Sequence, residues 1–417
     1  MKLTRRRFLA TTAAATAFSS VPAKNAFADD TLLKKLDTAV AQPVLKRSLF
    51  KTPVTIESID LLHYDYSYLC RVRSTDGAEG WCVCNNIRMV FLYPILIQRV
   101  IPFFIGKDAR DLDDLLDGVY RYRSNFKFQS YALWVPVATV ELAILDMLGK
   151  IAGKAMGELI GDIHHPEIAT YIGGNLRHET AIESIEIRMA EAREKGIKAL
   201  KFKIGEKMGR DEEPIPGRTE RLIPMARKMV GENVWLGVDA NGGFSTTKAI
   251  KVGHLLSEHN YAFFEEPVPF DWYEEMRQVA EAVKIDVAGG EMEASMHNFR
   301  WLIANQALQV VKPDVFYFGG MVRCMKVARM AQAAGLTISP HISGSGLGYI
   351  YIAHFVSALP NAADYHPNSR SSEKIPFTCP TSSLEIINGT VKAPTGPGMG
   401  IELDADFVKK HRIIESA

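Results

Sequence analysis

Residues 234–267 read VWLGVDANGGFSTTKAIKVGHLLSEHNYAFFEEP, and their pattern decides the architecture. Val234 to Val238 is an apolar run that closes on Asp239-Ala240-Asn241. An amphipathic stretch follows over Thr247–Glu258. Ala262-Phe263-Phe264 is a second apolar run, and it closes on Glu265-Glu266-Pro267. A short run without polar alternation suits a strand buried on both faces, and a strand–helix–strand succession sets two such strands parallel. The same rhythm extends in both directions. Further runs are 169–172, 199–204, 286–289, 308–311 and 336–339, with helical patterns over 182–195, 273–283 and 321–334. That makes seven βα units, with a weaker eighth run at 362–365. Their number and their spacing of 23–36 residues imply a closed (β/α)7β-type TIM barrel. An open doubly wound sheet would carry a Gly-rich phosphate turn after its first strand, and Gly173-Gly174-Asn175 is not that turn.

In such barrels the chemistry sits where strands end. Here six successive strands end in ionisable groups. They are Lys201 and Lys203, Asp239, Glu265, Glu291, the Lys312-Pro313-Asp314 segment, and His341. Alone, a Lys-x-Lys is usually a solvated face, a strand-end acid usually caps the next helix, and a His after Pro is usually structural. The series is different. Asp239 to Glu265 is 26 residues, Glu265 to Glu291 is 26, Glu291 to Asp314 is 23 and Asp314 to His341 is 27, each one βα unit. Three carboxylates brought together repel unless a divalent cation joins them, and an all-oxygen set suits Mg²⁺. Such an ion can hold a substrate carboxylate and neutralise the charge that forms when the adjacent carbon loses a proton. Lys203 is placed as base, with Lys201 two residues away on the same face as its modulator. His341 can act from the opposite side, its ring held by Asp314. Lys312 is a rival base.

These residues resemble the enolase superfamily and, within it, the mandelate racemase-like subgroup. The likeness covers nearly all of the chain after residue 28. It includes Ile105-Gly106-Lys107-Asp108, Ala143 to Lys150, Phe264-Glu265-Glu266-Pro267, Gly319-Gly320 and Gly396-Pro397-Gly398-Met399-Gly400. The resemblance implies Asp239, Glu265 and Glu291 as ligands of one Mg²⁺ per subunit, Lys203 and Lys201 as one basic group, and His341 with Asp314 as the dyad. The use of a Lys or His base with Mg²⁺ in this superfamily is a general pattern. It implies a small carboxylate substrate, a homo-oligomer, and dehydration of an acid sugar or related hydroxy-acid. Epimerisation, racemisation or cycloisomerisation are the alternatives, and a non-catalytic binding protein of the same fold is a remote one. Two departures bear on the substrate. Where relatives place an eighth-strand Glu, this chain has His366 or, with a shift, Asp364. Where their cap carries Gly-Glu, it reads Cys82-Val83-Cys84-Asn85-Asn86. Asn241, His366, Asp364 and Tyr66 are candidate substrate contacts, with Tyr64, Tyr68, Asn85 and Asn86 as further cap candidates.

The remainder of the chain frames the barrel. Residues 1–28 hold five basic side chains and no acid, with Thr4-Arg5-Arg6-Arg7-Phe8-Leu9 and Ala26-Phe27-Ala28. This resembles a twin-arginine export signal with its cleavage site and implies a periplasmic protein. Without those residues the balance is 44 basic against 48 acidic, net −4. No basic stripe survives, so neither nucleic acid nor a stable membrane association is expected. Beyond the leader no apolar run approaches membrane-span length, so no spanning helix is expected. Residues 29–53 read as a linker. Residues 54–165 read as an α+β cap, with period-two strands at 54–59 and 68–73, a turn at Asp76-Gly77, and helices over 112–122 and 135–150. Pro94 is at odds with one unbroken helix over 90–103. The barrel spans 166–369. Residues 370–417, with a hairpin at Asn388-Gly389, are expected to pack on the cap. The five cysteines, Cys70, Cys82, Cys84, Cys324 and Cys379, read as buried free thiols.

Overall fold

Three strands, Ile56–Tyr64, Ser67–Ser74 and Glu79–Val83, form an antiparallel meander in register Leu61↔Cys70↔Cys82. The computed structural model describes residues 30–343, 346–368 and 375–415. The leader lies outside them. Gly77 makes the second turn at φ +87°. The meander rests on one long helix, Tyr131–Ala152, buried from Leu133 to Gly149. Gly80 permits that contact, since a Cβ there would stand 2.2 Å from the Ala143 carbonyl oxygen. Asp146 is buried in the same helix and accepts N–H bonds from Trp81 (2.8 Å) and from Met399 in the tail (2.7 Å). Two of the segments that carry the family resemblance, 143–150 and 396–400, therefore meet the cap meander at one carboxylate.

Two cap helices have the length and apolarity of a membrane span, contrary to expectation. Tyr131–Ala152 is apolar because it is the core of the cap. The other runs over Asn86–Phe104 and is interrupted as Pro94 suggested. Pro94 sits inside Asn86–Ile95, and the turn that follows, Leu96–Val100, widens to a π-helix.

The barrel strands run in the order of the sequence. Glu167–Tyr171, Ala199–Lys203, Trp235–Asp239, Phe263–Glu265, Asp286–Gly289, Val310–Val311 and Thr337–Ile338 lie side by side and parallel. A single bridge, Ile172↔Leu200, joins the first to the second. The eighth strand closes the circle in two pieces. Ala362 bridges Ile338, and His366–Pro367 pairs with Thr170 and Tyr171 of the first strand. Helix boundaries follow local chemistry: Thr180 and Glu183 form a capping box on Ala181–Lys195, and Gly196 ends it at φ +65°.

Two expectations need correction. Residues 29–53 are not a linker: Asp30–Ala41 is a helix. Its Leu36 is fully buried, and Asp37 pairs with Arg300 of a barrel helix at 2.6 Å. Farther on, Val44 and Leu45 donate N–H to Asp113 of the cap. The arm thus touches both cap and barrel. Nor does the tail pack on the cap alone. The Asn388-Gly389 turn forms, but Thr390–Lys392 pairs with the first barrel strand, covering the edge that the second strand leaves open. Only the last part, Arg412–Ile413, joins the cap meander.

Candidate active site

The parallel register sets the height of the polar groups. Lys203 is level with Asp239, and Asp239 with Glu265. The next residue in that row is Ala288, so Glu291 stands beyond its strand. Gly290 makes this possible at φ +107°, where a Cβ would lie 2.6 Å from the Phe299 ring. One oxygen from each of Asp239, Glu265 and Glu291 lies within 4.8 Å of the other two. Glu265 Oε1 and Glu291 Oε2 are buried with no hydrogen-bond partner among the described residues. Oxygen ligands of one small octahedral ion stand about 3–4 Å apart, so slight contraction would close this set on a cation. Orphaned, buried, hard oxygens are what such an ion requires, and the residues fit it.

Cations lie beneath and beside the carboxylates. Lys201 Nζ donates to Glu265 Oε2 (2.6 Å) and Asp239 Oδ2 (3.2 Å), and Lys203 Nζ pairs with Asp239. Burial alone would raise the Asp239 carboxyl, but Lys203 and Lys201 outweigh it and hold it well below its ordinary range. Burial opposes the charge of Lys201, yet Glu265 and its neighbours keep it firmly protonated. Lys312, the rival base, is fully buried. It donates to the Ser339 carbonyl (3.1 Å) and lies 3.7 Å from Glu265 Oε1. That is the place of a fixed counter-charge, not of a group that reaches a substrate. Below these lysines an aromatic floor fills the barrel: Trp235 packs on Tyr171 (5.9 Å), Phe263 (5.0 Å) and Tyr365 (5.3 Å).

The opposite wall carries the dyad. His341 Nδ1 donates to Asp314 Oδ2 at 2.7 Å, since an ionised carboxylate only accepts. Asp314 is itself pinned, its Oδ1 accepting from the N–H groups of Phe316 (2.8 Å) and Tyr317 (2.9 Å). His341 Nε2 is thereby left facing Glu291 Oε2 at 3.5 Å. Burial would lower the imidazole, but Glu291 and Asp314 outweigh it and raise it.

With this geometry in view, the likenesses to known proteins are specific. The profile of the family described as Enolase C-terminal domain-like matches residues 185–407. A Roseobacter denitrificans structure, provisionally described as a racemase, superposes with TM-score 0.78 at 32% identity, covering 86% of this chain and 99% of that one. The chain belongs to the enolase superfamily, in its mandelate racemase subgroup. Another superfamily member, a mandelate racemase/muconate lactonizing protein of Paracoccus denitrificans PD1222 complexed with magnesium, gives TM-score 0.77 at 25% identity over 87% of this chain and 99% of that one. The arabinonate dehydratase of Saccharolobus solfataricus is 28% identical over 79% of this chain and 86% of its own. The D-galactarolactone cycloisomerase of Agrobacterium fabrum is 26% identical over 83% and 91%.

The expected substrate contacts differ in how near they stand to the acidic cluster. Asn241 Oδ1 accepts from Lys203 (2.7 Å) and Arg177 (2.8 Å), and one Nδ2 hydrogen is donated to Glu266 (3.2 Å). It positions Lys203 beside the acids. His366 is buried in the barrel wall, where desolvation and Lys312 push its imidazole down to about 3, and Asp364 is exposed on the bend before it. Tyr66 is 83% exposed at a hairpin tip and makes no site contact among the described residues. Tyr64 packs tilted against His411 of the tail (5.7 Å), Tyr68 likewise against His63 (4.4 Å), and Asn86 Oδ1 accepts the Tyr68 N–H (2.8 Å). Of the cap candidates Asn85 reaches the barrel mouth, donating to Ser343 (2.8 Å).

Sequence reading missed Arg177, Glu266 and Tyr317. Arg177 is buried and donates to the Gly205 carbonyl (3.0 Å) as well as to Asn241. Glu266 is buried beside the three acids at φ +41°, and Asn241 precedes its own turn at φ +45°. Such left-handed non-glycine residues at strand ends mark constrained sites.

Proposed function

We propose that this protein is a Mg²⁺-dependent enzyme that removes the proton next to the carboxylate of an acid sugar and expels the β-hydroxyl, a dehydratase. The observation that carries the reading is the opposition of Lys203 and the His341–Asp314 pair across a buried cluster of carboxylates with orphaned oxygens. Asp239, Glu265 and Glu291 would hold the ion. When bound, it supplies positive charge to the substrate carboxylate and to the enolate that follows. Lys203 is held at the rim of the strand row by Asn241 and takes or returns a proton on one face. Asp314 fixes the His341 tautomer and orientation, so that Nε2 does the same on the other. In a dehydration one of the two takes the α-proton and the other protonates the leaving hydroxyl. Curated relatives named as dehydratases of arabinonate, D-galactonate and D-xylonate support the choice of substrate class.

Two opposed proton carriers equally suit an epimerase, which differs only in having no leaving group expelled. Incubation with Mg²⁺ in D₂O against a panel of acid sugars separates the two. Deuterium uptake with loss of water supports the dehydratase. Uptake with inverted configuration supports the epimerase. Absence of uptake across the panel overturns the reading. The leader motif further supports export to the periplasm, and lysine replacement of Arg5 and Arg6 is expected to retain the precursor in the cytoplasm.

A further inference from the structure

The cap reaches the His341 side of the site through the start of one helix. Asn85, fully buried, donates Nδ2–H to Ser343 Oγ at 2.8 Å, two residues beyond His341. One turn on, Arg88 donates Nε–H to the Tyr317 hydroxyl at 3.1 Å. The Arg88 guanidinium lies over the rings of Tyr131 (5.6 Å) and Tyr317 (5.7 Å), and the Tyr317 ring centre is 6.2 Å from that of His341. Arg88 therefore stands one phenol ring beyond the dyad, on the cap side.

Its bonding is incomplete. Among the described residues neither Nη amine of Arg88 has a hydrogen-bond partner, and no carboxylate lies within 4 Å of the guanidinium. Asp314 is near enough to act on it electrostatically but is committed to His341. Aromatic faces and a phenol compensate a half-buried guanidinium only in part, and its two Nη groups form a fork that matches a carboxylate. Beside it, Asn85 Oδ1 is buried without a partner among the described residues.

We propose that Arg88 receives a second carboxylate at the far end of the substrate, so that the preferred acid sugars are dicarboxylic. Asn85 Oδ1 accepts a hydroxyl hydrogen from the chain between the two acid groups. This rests on the reading of the acidic cluster as the seat of the first carboxylate.

The test is calorimetric binding of a matched pair, galactarate and galactonate, to the Mg²⁺-loaded protein. A charge-assisted fork is expected to make galactarate bind about tenfold tighter or more. Arg88→Met should bring the ratio of the two affinities near one. Arg88→Lys, which keeps the charge and loses the fork, should retain part of it. Mg²⁺ binding by each variant, measured in the same cell, shows that it is folded. Equal affinities in the unmodified protein, no binding of either acid, or a ratio that survives Arg88→Met would overturn the assignment. Following α-proton exchange in the same samples separates the two proposals. A preference for the diacid without exchange keeps Arg88 as the receiver and sinks the enolate chemistry. Exchange without preference does the reverse.

Discussion

Single buried side chains set how this protein responds to acid. His354 is fully buried in the helix Gly348–Ser357, and its Nε2 bonds the Met399 carbonyl at 2.9 Å. Burial pushes its imidazole down to about 4, against 6.5 for an ordinary histidine. The folded state thus binds fewer protons there than the unfolded chain. The stability this gives is complete above pH 6.5 and is lost as pH falls toward 4. At pH 5 the loss from this residue is about 2 kcal/mol. His354→Gln keeps a donor for Met399 without a titrating ring. Urea unfolding at pH 7 and pH 5 should therefore show the variant gaining on the unmodified protein by about that amount. A constant difference between the two proteins at both pH values would mean that His354 is not held neutral.

The arm is the element whose role a variant exposes best. Helix Asp30–Ala41 commits only Leu36 fully to the core, against the barrel helices Met296–Ala304 and Met321–Ala333. Leu36→Ala should cost about 2–4 kcal/mol if the arm unfolds with the rest. If the arm instead detaches on its own, global stability changes little and hydrogen exchange rises over residues 30–50 alone. The expected outcome is the first, because Asp113 accepts the N–H groups of Val44 and Leu45 and pairs with Lys326 at 3.1 Å. This helix also shows what the sequence hid. DTLLKKLDTAVA does carry an apolar stripe, Leu32, Leu33, Leu36 and Val40, but it is short, follows the leader directly, and its partners lie some 260 residues ahead, as with Asp37 and Arg300. The barrel strands were legible because each apolar run announces itself and ends on the acid it presents. Asp239, Glu265, Glu291, Asp314 and His341 followed from that repeat. Arg177, Tyr317 and Arg88 did not, since they sit in loops or on the cap and meet the site only through space. Glu266 was quoted in its motif but overshadowed by its neighbour, and only the turn at Glu266 brings it inward. Tyr66 misled for the complementary reason: position in the sequence gave a plausible direction, and a hairpin tip supplied another.

At the scale of the whole molecule, layers of charge stack up the barrel axis, aromatic rings at the floor, then Lys201 and Lys312, then the acids. Binding of a cation by the folded state alone should stabilise it, by about 2.7 kcal/mol when Mg²⁺ stands at a hundred times its dissociation constant. Thermal unfolding with Mg²⁺ and then with excess chelator measures this, and Glu265→Gln should erase most of the difference. An unfolding midpoint indifferent to Mg²⁺ would remove the metal from the account. The aromatic floor carries a last implication. Among the described residues Trp235, Tyr171, Phe263 and Tyr365 fill the lower end of the barrel, which leaves the side where Asn85 meets Ser343 as the approach to the acids. An ion held by the acids would lie deeper than a substrate seated above it, and substrate and product would share one approach. Shared access of that kind should show as competitive inhibition by product, which initial rates at rising added product would measure.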